Sequence, residues 1–460
     1  LITTNIPEYV QDSTGCLPPL GLLYIATNIL KNSNHTVDIH DALLSDGDDT
    51  EIAQMSLKYD VIGITSMTFF LMDVINTVNE IREVNKEVPI IIGGPHVAIF
   101  PEETLKIEGV SFSMKGECDE SFLQLVNVIE QKGDLQSVPG LYWEENGIIK
   151  SNPVSNLIDD LDQIPIPKRE LLDYQKYHSI LSQEKAKNNL TTTAFSSRGC
   201  PFKCIFCDRP NLGKQFRSHS PKYVVDEMEK CVNLGITEIF FYDDTFSVDK
   251  ERVIEICELI LEKRLSVRWD IRARVNNLDL EMMTLMKRAG CARIHFGVEA
   301  GSREMMKVLK KGITQKLCIK AFKAAREAKI ETLGYFMFGC PEETRSQMDE
   351  TLKFALMLNP DYAHFSILTP FPGTPVYADA LNTGLFETDY WREYSSAPNE
   401  NFSPRFLPNT LPENELKDIL KRSYRKFYLR PGYLIKQATR VKSFKDLTKK
   451  LSITKDIVFG

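Results

Sequence analysis

Three cysteines, Cys200, Cys204 and Cys207, stand in the run SRGCPFKCIFCDR with the spacing CxxxCxxC. Three thiolates so close together can wrap one metal centre, and they leave it one protein ligand short. A structural zinc site takes four closed ligands, commonly two CxxC pairs or one CxxC with a histidine pair. No second pair lies nearby, since the next cysteine is Cys231, inside a helical pattern. A four-iron cluster is normally held by four cysteines, so three leave one iron open to a small molecule. Chance spacing of packed cysteines is the bland alternative, disfavoured where no disulfide framework explains the pattern.

The elements that must position this loop repeat in order. From Thr191 onward, strand-like runs fall at Thr191–Ser196, Glu238–Tyr242, Val267–Ile271, Arg293–Val298, Thr332–Phe338 and His364–Leu368. Helical patterns lie between them at Pro221–Leu234, Lys250–Lys263, Leu280–Ala289, Gln315–Ala328 and Ser346–Leu358. Six strand–helix units predict a partial (β/α)6 barrel with its function at the carboxyl ends of the strands. The cysteine loop follows the first of these strands. In the third, Val267, Trp269 and Ile271 alternate with Arg268, Asp270 and Arg272, so one face of that strand is charged.

The first part of the chain reads as a second α/β unit. Strands are expected at Leu1–Thr4, Thr36–Ile39, Val61–Thr65, Pro89–Gly93 and Val110–Met114, with helices from Leu20 to Leu30, Asp73 to Val84 and Ser121 to Glu130. Continuous Val/Ile runs alternating with helices predict a doubly wound parallel sheet covered on both faces. Ligands of such sheets lie beyond the carboxyl ends of the strands, which here carry Thr65-Ser66, Gly93-Gly94-Pro95-His96 and Gly116-Glu117. No GxGxxG follows the first strand, which disfavours an ordinary dinucleotide fold. Asn146-Gly147 signals a hairpin, and the proline-broken DDLDQIPIPKRELLDY reads as the linker.

The 460 residues fit two or three domains of roughly 150 each. Expected boundaries are 1–165 for the first unit with its hairpin and linker, 185–380 for the barrel and 381–460 for a mainly helical tail. Ten cysteines spread along the chain indicate a reducing compartment, the cytoplasm. There is no signal peptide and no apolar run long enough to span a bilayer; the opening LITTN lacks a methionine, so a short leader is expected ahead of it. The net charge is −7, but Leu420–Lys450 holds eleven Lys or Arg and one acid, leaving −17 for the rest. So acidic a body argues against nucleic acid. The helical pattern from Pro412 to Leu429, with Leu416, Ile419, Leu420 and Phe427 on one side, fits either a membrane-surface helix or a cap over the barrel mouth.

The CxxxCxxC loop resembles that of the radical S-adenosylmethionine enzymes. That resemblance implies a 4Fe-4S cluster whose open iron is chelated by the amino and carboxylate groups of S-adenosylmethionine, with an electron from the cluster splitting the sulfonium to give a 5'-deoxyadenosyl radical. It places Phe206 beside adenine, Asp243 and Asp244 at the amino group, Arg274 at the carboxylate and Glu299 at the ribose or methionyl part. The turns FMFGCPEET and LTPFPGTPVY add backbone donors near adenine. Cys340 in the first of these reads as a packed thiol in preference to a hydrogen donor.

PPLGLLYIA with the later GGPH resembles the cobalamin-binding domain that precedes many such enzymes. This brings Leu20, Gly21, Thr65, Ser66, Gly93, Gly94, His96, Gly116 and Glu117 forward as cofactor-binding residues. The loop after the first strand, NIPEYVQDSTGCLPP, lacks the DxHxxG that supplies histidine to cobalt, so a cobalamin without a histidine ligand is implied. Asp38-Ile39-His40 is a fragment of that motif on the second strand and reads as structural, and His96 is placed at the corrin or its tail, or simply ordering its turn.

The implied function is cobalamin-dependent radical methylation of an unactivated carbon in a small-molecule, lipid or pigment substrate. One alternative is oxidation of the kind carried out by the anaerobic magnesium-protoporphyrin monomethyl ester cyclase, whose branch shares PPLGL, GGPH and FPGTP; another is a non-catalytic iron–sulfur or cobalamin-binding module. Expected partners are a substrate, an electron donor such as flavodoxin or ferredoxin, and an anionic membrane surface for the basic tail.

Overall fold

The structure is a computed structural model that describes residues 1–4, 15–44, 49–179, 190–208 and 213–438. The first-strand loop and the end of the basic tail lie outside these residues. The first sheet has seven strands, β1 (Ile2–Thr3), β2 (His40–Asp41), β3 (Ile62–Thr65), β4 (Ile90–Gly93), β5 (Phe112–Met114), β6 (Leu141–Glu145) and β7 (Ile148–Ser151), in the order β2-β1-β3-β4-β5-β6-β7. The first five are parallel and the last two form an antiparallel hairpin added at the edge. Ile90 and Ile92 pack with Val74, Val78 and Ile81 of the helix Leu71–Val84, whereas Ile91 packs with Ile29, Phe122 and Leu125 on the opposite face. Burial on both faces is what an all-Ile strand requires.

β2 lies beyond the expected Thr36–Ile39 run. Its Asp41 accepts hydrogen bonds from Thr3 Oγ1 at 2.7 Å and from Tyr177 Oη at 2.6 Å, and these buried partners fix the pairing register there. The hairpin turns at Asn146 and Gly147, both at positive φ (55° and 77°), the conformation that makes Asn-Gly its natural occupant.

The second sheet contains β8 (Leu190–Ala194), β9 (Ile236–Phe241), β10 (Arg268–Ala273), β11 (Cys291–Glu299), β12 (Glu331–Phe338) and β13 (Tyr362–Ile367), all parallel and in chain order. Five helices cover its outer side. They begin at side-chain caps, Ser220, Asp249, Asp279, Thr314 and Thr344, each accepting from a backbone N–H of the first turn. Each cap is worth about 1 kcal/mol and fixes where the preceding strand-end loop must finish. Trp269, Ile271, Phe296, Phe336 and Phe365 form the core between strands and helices. The alternate residues, Asp270, Arg272, Arg274, Arg293, His295 and Tyr335, therefore line the inner face of the half barrel.

β13 leaves one edge of this sheet open. The helix Glu413–Tyr428 covers it by an unusual device: Tyr424 Oη accepts from Phe365 N–H (3.1 Å) and donates to Phe365 O (2.9 Å), and Tyr428 Oη does the same with Ala363 (3.0 and 2.8 Å). Two phenols thus satisfy an exposed strand edge that would otherwise invite pairing with another chain. Leu416, Ile419 and Phe427 of the helix are buried against the barrel, so its apolar stripe is occupied by protein. The helix was expected to lie on a membrane surface or cap the barrel mouth; in the structure it packs on the barrel's open strand edge. No helix of the described residues is long and apolar enough to cross a membrane.

Candidate active site between two sheet ends

The three cysteines sit immediately beyond β8, bracketed by a two-stranded ribbon, Ser197–Arg198 paired with Arg217–Ser218. Cys200 and Cys204 are largely buried. The loop is pinned at its back by Ile205 N–H to Leu309 O (3.3 Å) and Val376 N–H to Ile205 O (3.0 Å). Among the described residues no three His, Cys, Asp or Glu side chains converge on a single ion. A cubane takes one thiolate on each of three irons, and three cysteines on one short loop suit it. Arg274 Nη1 lies 3.6 Å from Cys204 Sγ, stacks 3.8 Å over the Phe202 ring and donates to Lys311 O. Arg274 therefore faces the cluster ligand itself, where a cation offsets thiolate charge. By contrast, burial pushes the Cys231 thiol up to about 11 and the Cys257 and Cys318 thiols up to about 12, which leaves them inert packing groups.

Asp243 takes a different duty from the one expected. It is wholly buried and accepts from Ser196 N–H (2.7 Å), Ser196 Oγ (2.5 Å) and Ser197 Oγ (2.5 Å), so it holds the root of the cysteine loop and presents no oxygen to a ligand. Asp244 is exposed at the strand end. Glu299 is aimed by a backbone irregularity: the β11–β12 register shifts between Gly297 and Glu299, and Glu299 adopts φ 66°, a costly conformation for a glutamate. Its Oε1 accepts from the buried Lys311 Nζ at 2.8 Å. A Cβ on Gly297 would stand 2.5 Å from that oxygen and 2.7 Å from Lys311 Nζ, so a side chain there would displace the ends of the pair. Lys311 Nζ in turn lies 5.6 Å over the Phe206 ring. Phe206, Arg274, Glu299 and Lys311 are thus gathered beside the cysteines.

In the first sheet, Thr65, Ser66, Gly93 and Gly94 come together at the ends of β3 and β4. Ser66 N–H donates to Gly93 O (2.8 Å), and a Cβ on Gly94 (φ 97°) would stand 2.8 Å from Thr65 Oγ1. His96 is fully buried, Nδ1 3.1 Å from Thr68 Oγ1, and burial pulls the ring down to about 4, so it is neutral and orders its turn. Leu20 packs in a core with Leu23, Tyr24, Leu161 and Tyr177, while Gly21 is exposed. Gly116 has φ 104° and meets Val154 where its Cβ would be.

Glu117 is drawn away from the strand-end pocket altogether. Its carboxylate receives both Nη atoms of Arg217 at 2.9 and 2.7 Å, with Arg198 Nη1 at 3.4 Å, while Asp119 receives Arg198 at 2.8 and 2.9 Å. Arg198 and Arg217 are the paired residues of the ribbon that brackets the cysteine loop. The β5 end and the β8 end are therefore clasped together. Neither arginine carries a local sequence signal, since the partners lie 79 and 100 residues away. Phe69, just past β3, also packs at 5.4 Å on Phe371, just past β13, and Met67, Phe69 and Phe371 leave an apolar surface between the two sheet ends.

The turn after β12 carries one testable titration. Glu343 is buried, accepts from Cys340 N–H at 3.0 Å through Oε2, and has no partner for Oε1 among the described residues; burial raises its carboxyl to about 7. Cys340 is buried beside it in the barrel core. A folded pKa above the unfolded 4.5 means the contribution is fully present below 4.5 and is lost as pH rises through about 7, a swing on the order of 3 kcal/mol. Glu343→Gln is expected to remove that swing from denaturant stability measured across this range; equal pH slopes in both proteins would show that the carboxyl titrates normally.

A half barrel with a three-cysteine loop after its first strand, facing a doubly wound sheet, defines a radical S-adenosylmethionine enzyme with a cobalamin-binding partner domain. The Radical SAM superfamily matches residues 195–355 and the B12 binding domain residues 9–126. An uncharacterized methyltransferase of Pyrococcus horikoshii is 35% identical over 439 residues, 94% of this chain and 92% of that one. The anaerobic magnesium-protoporphyrin IX monomethyl ester cyclase of Rubrivivax gelatinosus is 26% identical, over 91% of this chain and 75% of its own. The solved structure of the cobalamin-dependent S-adenosylmethionine radical enzyme OxsB with aqua-cobalamin and S-adenosylmethionine shares the fold, with TM-score 0.77 at 16% identity over 99% of this chain and 70% of that one. The chain belongs to the radical S-adenosylmethionine superfamily, in the branch that carries a B12 binding domain. Its cofactors are a 4Fe-4S cluster, S-adenosylmethionine and cobalamin.

Proposed function

We propose that the protein methylates an unactivated carbon of a small-molecule substrate. The observation that carries this is the facing of the two sheet ends: the clasp of Glu117 and Asp119 with Arg217 and Arg198 sets the cysteine loop opposite the Thr65-Ser66 and Gly93-Gly94 loops. When bound, the cluster with S-adenosylmethionine supplies a hydrogen-abstracting radical and cobalamin supplies the methyl group. The chain does the rest. Cys200, Cys204 and Cys207 hold the iron, Arg274 and Lys311 set positive charge beside it, and Asp244, Glu299 and Phe206 are the groups we assign to the methionyl, ribose and adenine parts. Thr65, Ser66, Gly93, Gly94 and Gly116 are assigned to the corrin side, and Met67, Phe69 and Phe371 exclude water from the space between.

Residues 1–165, 185–380 and 381–460 are assigned as the cobalamin, radical and cap units of a cytoplasmic enzyme. The reductant is a small acidic carrier of the flavodoxin or ferredoxin class. It would meet the depression of about 420 Å³ behind the cysteine loop, where Lys203, Lys214 and Lys310 gather. Membrane contact by the basic helix would need its apolar stripe, which the barrel occupies, so a dissolved substrate fits better than a bilayer lipid. Anaerobic purification after growth with cobalamin tests the reading: cobalt bound in amounts matching the protein, with a corrinoid spectrum, is expected, and cobalt-free protein that still cleaves S-adenosylmethionine would overturn it.

A further inference from the structure

Deeper in the half barrel lies a polar layer that the cofactor-side residues do not use. Arg272 lies on β10, on the inner face with Asp270, while Arg274 stands just past the strand's end beside the cysteine loop. The Arg272 guanidinium stands 4.3 Å over the Tyr242 ring. Around it on the neighbouring strands are His295, its register partner on β11, and Tyr335 on β12, with His295 Nδ1 3.2 Å from Tyr335 Oη. His364 on β13 pairs with Tyr335 in register and packs its ring at 5.6 Å.

The charge accounting of this interior is uneven. Arg293 is neutralised by Asp270 at 2.9 Å and Glu331 at 3.0 Å, Lys311 by Glu299 at 2.8 Å, and Arg268 faces Glu238 at 3.4 Å. Arg272 has no carboxylate within 4.0 Å among the described residues. His295 Nε2 is buried without a hydrogen-bond partner, its 3.7 Å distance to Asp270 being too long for one. Burial also holds His295 and His364 below the ordinary histidine range, so both are neutral at neutral pH. Arg272 is hydrogen-bonded to Tyr335 and stacked on Tyr242 but has no counter-charge, and beside it stands an unsatisfied imidazole; an anion would complete both.

We propose that Arg272, with Tyr242, Tyr335 and His295, binds an oxyanion group of the substrate, a carboxylate or a phosphonate or phosphate, and so holds the reacting carbon up toward the cysteine loop. The assignment rests on the reading of this barrel as the substrate-bearing half of a radical methyltransferase. Arginine suits such a group because its fork matches two oxygens at once, with the aromatic stack keeping the fork oriented.

The test uses the full chain with its cluster reconstituted, titrated calorimetrically with phenylphosphonate, phenylacetate and, as the neutral control, benzyl alcohol. Wild type is expected to bind at least one of the anions and not the alcohol, and whichever anion binds more tightly identifies the oxyanion class. Arg272→Met is expected to weaken that binding by about tenfold or more, the loss typical of a hydrogen-bonded charge, with Arg272→Lys between the two. Iron content and the melting transition, measured on the same samples, should not move. Equal binding by wild type and Arg272→Met, or no anion binding by wild type, overturns the proposal. Methyl transfer from S-adenosylmethionine is read separately: anion binding without methyl transfer counts against the methyltransferase reading alone, and methyl transfer without anion binding against this site alone.

Discussion

Replacing Cys204 by alanine is expected to strip iron from the protein and take S-adenosylmethionine cleavage to background, while Cys340→Ala leaves both unchanged. Sequence spacing sets Cys204 in the CxxxCxxC loop and leaves Cys340 outside it, and the structure keeps the two apart in environment as well. Cys204, on the loop that carries its two companions, stands 3.6 Å from the Arg274 guanidinium, whereas Cys340 is buried beside Glu343 with its thiol pushed well above the ordinary range by burial. Loss of a ligand to a three-thiolate site is expected to exceed the roughly 10- to 100-fold penalty seen when only a supporting residue is lost. The check is iron per chain and the brown absorbance after anaerobic reconstitution, followed by 5'-deoxyadenosine formation with a chemical reductant. Cys340→Ala removes one buried sulfur, and its cost is stability of the order of 1 kcal/mol with the cluster intact.

The second large effect lies in the clasp. Glu117, Asp119, Arg198 and Arg217 are all buried, with side-chain exposures of 3, 9, 5 and 2%. Truncating one member of such a network leaves an opposite charge stranded out of water, which costs about 3–5 kcal/mol. Glu117→Ala takes from Arg217 the carboxylate that accepts from both its Nη atoms, leaving the Ile158 carbonyl at 2.7 Å among its contacts but no counter-charge in that place. It is therefore expected to lower unfolding free energy by that amount and to reduce cluster retention, because Arg217 and Arg198 brace the ribbon at the root of the cysteine loop. The double variant Glu117→Leu with Arg217→Met should recover part of the stability, since no buried charge is then left unpaired. Recovery of stability without recovery of iron would show that the clasp positions the loop in addition to supporting the fold.

The order of strands and helices was readable because hydrophobic period and capping residues are local properties. The barrel strands fall within about three residues of their expected ends, and the CxxxCxxC loop follows the expected one. What could not be read were side-chain commitments made across long sequence separations. Asp243 and Glu117 both sit at strand ends, the place where ligand groups are expected, and both are spent on protein partners that sequence spacing does not reveal. Arg274, expected at the carboxylate of S-adenosylmethionine, lies 3.6 Å from the sulfur of Cys204, a contact that spacing does not reveal. Lys311 was missed because its meaning depends on a bulge at Gly297 and a positive φ at Glu299, neither of which has a periodic signature. The tail helix shows the same limit: amphipathic pattern predicts a buried stripe but not the open strand edge it packs on, where two tyrosine hydroxyls meet the backbone.

The most direct test of two cofactors working on one carbon is product stoichiometry. Reduced, cluster- and cobalamin-loaded enzyme is incubated under strict anaerobiosis with methyl-labelled S-adenosylmethionine and a small-molecule extract from cells lacking the protein. 5'-Deoxyadenosine and S-adenosylhomocysteine rising together in equal amounts, with label in a new product, is the predicted result; 5'-deoxyadenosine accumulating without matching S-adenosylhomocysteine would contradict the methyltransferase account.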